Sequence, residues 1–317
     1  MHARGGPLVA LRRPNRRKGV SGLSWGGHAV ARSCEGTMQS SASYAPTVPL
    51  ASGMGTILLP QTSETLPTGG GDLWGAWRVP RRLGELAVTC AEPRTLPWQR
   101  APQTAEQRLQ AAQRVQQMAI SLCKTQGVQM DVQGVVPDQT VIVVANHVSY
   151  VDTLVIPALL PTTCVAKKEV LAWPGVGALA MRMGTLFVER GNSQSGAVAL
   201  RQAARALDAG VSVVAFPEGT TSPGDRLLPF HRGIFGLAIL RNVPVLPVTL
   251  VYSDPRVAWV GEAPFLNHYL KRVASKRRTH VTVRLAPLLA PSLFQNARDL
   301  ARATQQVMAK AMRQSLP

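Results

Sequence analysis

The chain is 317 residues long, 45% apolar and 16% charged, with 35 Lys and Arg against 17 Asp and Glu for a net charge of +18. That is ample material for a core and for one large or two ordinary domains, and the positive excess favours an anionic bilayer, a phosphorylated substrate or nucleic acid. Aromatic residues make up only 5% and form no basic–aromatic motif of the kind that stacks bases, so nucleic acid is not the expected partner.

Residues 1–70 are rich in Gly, Ser, Pro and Thr, carry short basic clusters and hold no sustained period, which predicts a disordered, low-complexity tail. The basic residues at 12–18 are not followed by an apolar stretch of ~7–15 residues, so no secretory signal is expected. Met38 and Met54 leave a later start open. Residues 71–127 read as a helical, membrane-proximal segment. Trp74, Trp77, Leu83, Leu86 and Ala87 stand among Arg78, Arg81 and Arg82, which suits either an interfacial segment or a plain surface helix; Pro80 is expected to break it. Residues 104–126 have an amphipathic helical period through Leu109, Ala112, Ala119, Leu122 and Cys123, ended by Gly127.

From there apolar strands and helices alternate. Strands are expected at 141–145, 164–166, 185–188, 211–216, 245–252 and 281–286. Helices are expected at 152–160, 175–183, 195–207, 235–240 and 296–313. The alternation predicts one α/β domain over 128–317, with a mixed central sheet flanked by helices. No run reaches ~18 uninterrupted apolar residues, so no spanning helix is expected. Cys34, Cys90, Cys123 and Cys164 are far apart and form no CxxC pair. They read as reduced thiols, and no metal site is expected.

Four motifs carry chemistry. Asn146-His147-Val148-Ser149-Tyr150-Val151-Asp152 follows a buried strand, which would deliver its polar residues to a sheet rim. A hydroxyl nucleophile needs a base, and an imidazole base needs an orienting carboxylate; the alternative makes Asp152 a helix cap and His147 a buried polar residue. The stretch 184–190 ends a strand in Arg190, able to grip a phosphate bidentately or to sit in a surface ion pair. Phe216-Pro217-Glu218-Gly219-Thr220 makes a tight turn that would leave backbone N–H groups for an anion and Glu218 for a substrate hydroxyl, or is simply a turn. Val243-Pro244-Val245-Leu246-Pro247 is an apolar strand that its prolines place at an edge or bulge, an acyl wall or plain core. Two further patterns lack their contexts. Residues 22–26 fit GxSxG with no preceding strand. Residues 175–180 fit GxGxxA but follow Trp173-Pro174. The basic run 271–278 reads as a solvated face or a dock for an acidic carrier or headgroups.

In this order the four motifs resemble the blocks of the glycerol-3-phosphate/1-acylglycerol-phosphate acyltransferase family, NHxxxxD first. The resemblance covers residues 110–290. It implies that His147 is the general base and Asp152 its partner. It implies that Arg190, Glu218, Gly219 and Thr220 bind the acceptor, with Lys168 adding positive charge and Pro247 lining the acyl side. It implies an enzyme that passes an acyl group from acyl-CoA or acyl-acyl-carrier-protein to a lysophospholipid hydroxyl without a cofactor. The first acceptor expected is 1-acyl-sn-glycerol 3-phosphate. The alternatives are another lysolipid, such as a lyso-ornithine lipid, or a non-catalytic lipid- or carrier-binding protein. Expected partners are the lysolipid, the thioester donor, an acyl carrier protein as an open case, and an anionic membrane surface on the cytoplasmic face of the inner membrane, held peripherally. The family's strongly apolar leading helices have no counterpart in the short, polar stretch 70–127.

Overall fold

The computed structural model describes residues 73–91, 104–173, 176–189, 191–261 and 263–314. The tail expected over 1–70 and the GxSxG pattern lie outside these residues. Helix α1 (Leu73–Ala91) runs through Pro80, correcting the expectation of a break there. A proline removes one helical hydrogen bond and costs about 3 kcal/mol, so α1 depends on tertiary anchoring. Arg82 supplies it: its guanidinium donates to the carbonyls of Val273, Ala274, Lys276 and Arg277 at 2.7–3.2 Å.

Helix α2 (Ala105–Gln126) begins at a capping box between Thr104 and Gln107 and ends at Gly127, which adopts the left-handed conformation at φ 70°. A Cβ there would fall 2.1 Å from an Arg82 nitrogen, so glycine serves both the turn and the passage of the arginine. The remaining elements are β1 (Val128–Gln133), β2 (Ile142–Ala145), α3 (Asp152–Leu159), β3 (Thr162–Lys167), α4 (Val176–Arg182), β4 (Leu186–Val188), α5 (Ser193–Asp208), β5 (Ser212–Ala215), α6 (Gly233–Arg241), β6 (Val245–Tyr252), α7 (Phe265–His268), β7 (Thr279–Leu285) and α8 (Ala297–Arg313). A turn of π-helix, Tyr269–Ala274, continues α7.

The strands form one seven-stranded sheet in the order β1-β7-β6-β2-β5-β3-β4. Only β6 and β7 pair antiparallel, so the sheet is mixed, as expected. The short strands β2 and β5 are buried at every residue, the pattern of strands covered on both faces. One face packs under α2, α3 and the π-turn, through Ala119, Val155, Ile156 and Val273. The other packs under α5, α6 and α8, through Ala203, Leu207, Phe235, Leu300 and Met308. Strand β1, not anticipated from the sequence, pairs parallel to β7; its mixed sequence Val-Gln-Met-Asp-Val-Gln is too polar to announce itself.

Strand β6 lies inside the sheet, between β2 and β7, which removes the edge placement its prolines suggested. The bulge alternative fits instead. Pro247 accepts from the N–H of Ala286, while Val245 pairs with Leu289, so one extra residue is spent on the neighbouring chain beside the proline. The missing proline N–H thus falls where the ladder is already interrupted. Strands β2, β3, β4, β5 and β6 are mutually parallel along their chain of pairings, and their C-terminal ends share one rim.

Candidate active site

Strand β2 delivers Asn146 and His147 to that rim. Asn146 is fully buried, and its amide exchanges two bonds with the main chain of Leu250, at 2.8 and 3.0 Å. The chain then turns back. Asp152, the first residue of α3, is fully buried, and its Oδ2 accepts from the N–H groups of Val148 and Ser149 at 2.7 and 2.9 Å. The same oxygen faces His147 Nδ1 at 2.9 Å. Because a carboxylate accepts, Nδ1 carries the proton and Nε2 is left with its lone pair. No side-chain hydrogen bond caps α3, so Asp152 serves the histidine and the loop rather than the helix end.

The second oxygen of Asp152 has its own donor, Tyr252 Oη, at 2.6 Å from the end of β6. Burial holds the Tyr252 phenol well above its ordinary value and the Asp152 charge raises it further, so it stays a donor. A buried carboxylate is costly unless its lone pairs are met; here both oxygens are. The His147 ring stacks on Phe216, at 4.1 Å between centroids and 20° between planes. Its side chain is 19% exposed, and Nε2 has no partner among the described residues.

Phe216 and Glu218 follow β5, the neighbour of β2. Glu218 is buried, with Oε1 accepting from His147 N at 3.3 Å and Oε2 from Leu228 N at 3.1 Å. Burial pushes its carboxyl above the usual range, and the two N–H donors and His147 pull it partway back. Glu218 therefore clasps the rim loop to the His147 main chain. The Ser222 N–H adds a bond to His147 O at 2.8 Å. Gly219 sits at φ 69°, and a Cβ would lie 3.1 Å from the His231 ring. Its own N–H donates to Phe216 O, so it is not among the free N–H groups expected of this turn. Thr220, next to it, is exposed.

The other expected residues distribute along the rim. Lys168, just past β3, pairs with Glu189, just past β4, at 3.6 Å, both exposed. Arg190 lies outside the described residues. Pro247 is buried in register with Val144, within the sheet rather than at its rim. Sequence reasoning missed two contributors. Tyr252 stood unremarked at the end of an apolar strand, 100 residues from Asp152. Trp259, in the loop after β6, donates its main-chain N–H to Val148 O at 2.9 Å and its carbonyl accepts from the Thr221 hydroxyl, tying a third loop to the motif. Cys123 and Cys164 are buried free thiols, pushed up to about 12 by burial.

Residues 128–251 match the Acyltransferase family profile. Over 196 residues the chain is 36% identical to the lyso-ornithine lipid O-acyltransferase of Pseudomonas aeruginosa, covering 60% of this chain and 75% of that one. The chain belongs to this acyltransferase family. It is also 38% identical over 114 residues to the 1-acyl-sn-glycerol-3-phosphate acyltransferase of Neisseria gonorrhoeae, covering 36% of this chain and 45% of that one. The crystal structure of PlsC, the 1-acyl-sn-glycerophosphate acyltransferase of Thermotoga maritima, shares the fold, with a TM-score of 0.51 at 20% identity over 77% of this chain and 97% of that one. Within the matched stretch, the NHxxxxD block folds into a histidine–carboxylate pair whose second ring nitrogen has no partner among the described residues.

Proposed function

We propose that the enzyme transfers a fatty acyl group from a thioester to the free hydroxyl of a lysolipid. The observation that carries this is the His147 Nδ1–Asp152 Oδ2 contact at 2.9 Å, with Nε2 unengaged beside the rim. The lysolipid hydroxyl gives its proton to Nε2 as its oxygen bonds to the thioester carbonyl carbon. The tetrahedral adduct then collapses, the carbon–sulfur bond breaks, and the thiolate takes the proton back from His147. Asp152 holds the ring in the Nδ1–H tautomer and stabilises the imidazolium. One proton and one acyl group move, and no covalent enzyme intermediate is formed.

The first acceptor proposed is 1-acyl-sn-glycerol 3-phosphate, with Lys168 and Arg190 meeting the phosphate. A second reading, a lyso-ornithine lipid, is favoured by the relatives aligned over most of their length: the Pseudomonas protein above, and that of Brucella abortus at 32% identity over 71% of its chain. The donor proposed is acyl-CoA or acyl-acyl-carrier-protein. Among the described residues no helix is long and apolar enough to cross a membrane, and the positive charge suits peripheral attachment to an anionic cytoplasmic leaflet. The test is acyl transfer by purified protein across a panel of lysolipids and both donors, with His147→Ala as control. Transfer to no lysolipid from either donor overturns the reading; the ratio of kcat/KM values between phosphate and ornithine acceptors ranks the two.

A further inference from the structure

A connected set of aromatic rings stands at the rim beside His147, and the catalytic steps do not use it. Trp259 meets Trp173 edge-on at 4.8 Å, Tyr150 at 5.6 Å and Phe265 at 6.4 Å, and Tyr150 meets Phe265 at 4.8 Å. Tyr150 belongs to the NHxxxxD block itself. His268 Nε2 donates to Ala258 O and its Nδ1 accepts from the Tyr150 hydroxyl at 3.2 Å, which locks the cluster's inner side. The rings themselves are half-buried, and apolar side chains beside them are exposed among the described residues. Leu171, Val260 and Leu266, each within two residues of a ring of the set, are 37%, 44% and 56% exposed. Helix α1 packs against α4 and the π-turn, and α4 packs on the turn that holds Leu171; Trp77, Val88 and Met181 on α1 and α4 are exposed too. Six of the ten exposed large apolar side chains among the described residues thus lie on adjoining elements. Apolar exposure gathered in this way marks an interaction surface rather than random surface composition.

The charges at its border are mainly positive. Lys167 Nζ lies 5.2 Å over the Trp173 ring, Lys168 follows, and the π-turn contributes Lys271 and Arg272. Glu85, Glu169, Glu189 and Asp254 are acids on these elements, and Glu85, Glu189 and Asp254 are paired with Arg81, with Lys168 and with Arg256 and Lys276. Tryptophans with polar tips, flanked by basic residues and leucines, suit the headgroup–acyl boundary of an anionic bilayer.

We propose that this rim is the surface by which the enzyme seats on an anionic bilayer, with the mouth of the His147 site opening into the lipid headgroups. The inference rests on the lysolipid reading above: a substrate with an acyl chain reaches Nε2 without leaving the interface only if the site faces it. A protein partner or second copy seated here would instead cover the site.

The test is the full-length triple variant Leu171→Ser, Val260→Ser, Leu266→Ser. All three side chains are exposed and none takes part in the catalytic pair or its loop. Co-sedimentation with vesicles of phosphatidylglycerol and phosphatidylethanolamine is read beside acyl transfer to a vesicle-embedded lysolipid and to a short-chain, water-soluble one. Vesicle affinity falls by about tenfold or more, vesicle-borne transfer falls with it, and transfer to the short-chain acceptor keeps its wild-type kcat/KM. Unchanged vesicle binding in the triple variant, with loss confined to Trp77→Ser, overturns the proposal in favour of α1 alone. Loss of short-chain transfer in the folded variant overturns it too, by placing these residues in the site. A wild-type dimer that the triple variant converts to monomer assigns the surface to a second copy. If the wild type acylates neither acceptor, the functional reading falls, while vesicle binding is still read independently.

Discussion

Tyr252→Phe isolates the one hydrogen bond that, among the described residues, ties the Asp152 side chain to a distant part of the chain. The substitution removes a single oxygen and keeps the ring. Asp152 retains three donors, all on Oδ2, so Oδ1 alone is stripped, in a site with no solvent exposure. A hydrogen bond to a charged group contributes about 1.5–3 kcal/mol net. A loss near the middle of that range lowers Tm by about 4–8 °C for a domain of this size. Catalysis suffers through geometry. With Oδ1 bare, the carboxylate can rotate about its remaining contacts, and a drop of about tenfold in kcat corresponds to ~1.4 kcal/mol of lost transition-state stabilisation. KM for the acceptor stays put, because the Tyr252 hydroxyl bonds Asp152 and not the substrate. Steady-state kinetics with a short-chain lysolipid, beside thermal unfolding, separate the two effects. A variant that unfolds at the wild-type temperature with wild-type kcat refutes the reasoning, since Oδ1 would then need no partner.

His147→Ala should cost about 10²–10⁴ in kcat with unfolding behaviour near wild type, and near-normal turnover would remove His147 from the base role. Arg82→Ala withdraws donors from four carbonyls and should destabilise by about 3 kcal/mol or more, read by chemical denaturation; Arg82→Lys should recover only part, since one ammonium cannot serve that fork. Gly219→Ala forces a side chain into φ 69° and against the His231 ring, so unfolding free energy should fall by about 1–2 kcal/mol. Glu218→Gln probes pH. The folded carboxyl binds its proton more tightly than in the unfolded chain, so the cost of burying its charge is absent below the ordinary value of 4.5 and fully present above the raised one. The wild type therefore loses this increment as pH rises through that window and the variant does not. The difference in Tm, variant minus wild type, should increase with pH, and a flat difference would contradict the raised value.

Most of the α/β framework was legible because its strands and helices carry their own periods. Strand β6 is observed as expected, and α2 begins and ends at residues whose side chains and backbone freedom announce the fact. The elements that escaped were those without a local signal. Strand β1 is half polar and exists because β7 lies beside it. The π-turn sits in a basic run that reads as surface until its partner Arg82 is seen. Helix α1 continues through Pro80 because Arg82 anchors it to carbonyls nearly two hundred residues away, which local propensity does not register.

The His147–Asp152 pair divides along the same line. Seven consecutive residues suffice to bring His147 and Asp152 together, because the carboxylate is captured by N–H groups three and four positions before it; short-range hydrogen bonding makes this nearly a property of the sequence alone. The sequence likewise determined that the first and third blocks would fall at strand ends, since each follows an apolar run. Which ends become neighbours was decided by the strand order, which no local pattern encodes. That order brought Glu218 from β5 under the His147 main chain, set Tyr252 from β6 against the second oxygen of Asp152, placed Trp259 beside Val148, and left Pro247 inside the sheet rather than in the site. These contacts span about seventy to over a hundred residues and form only after the sheet has closed.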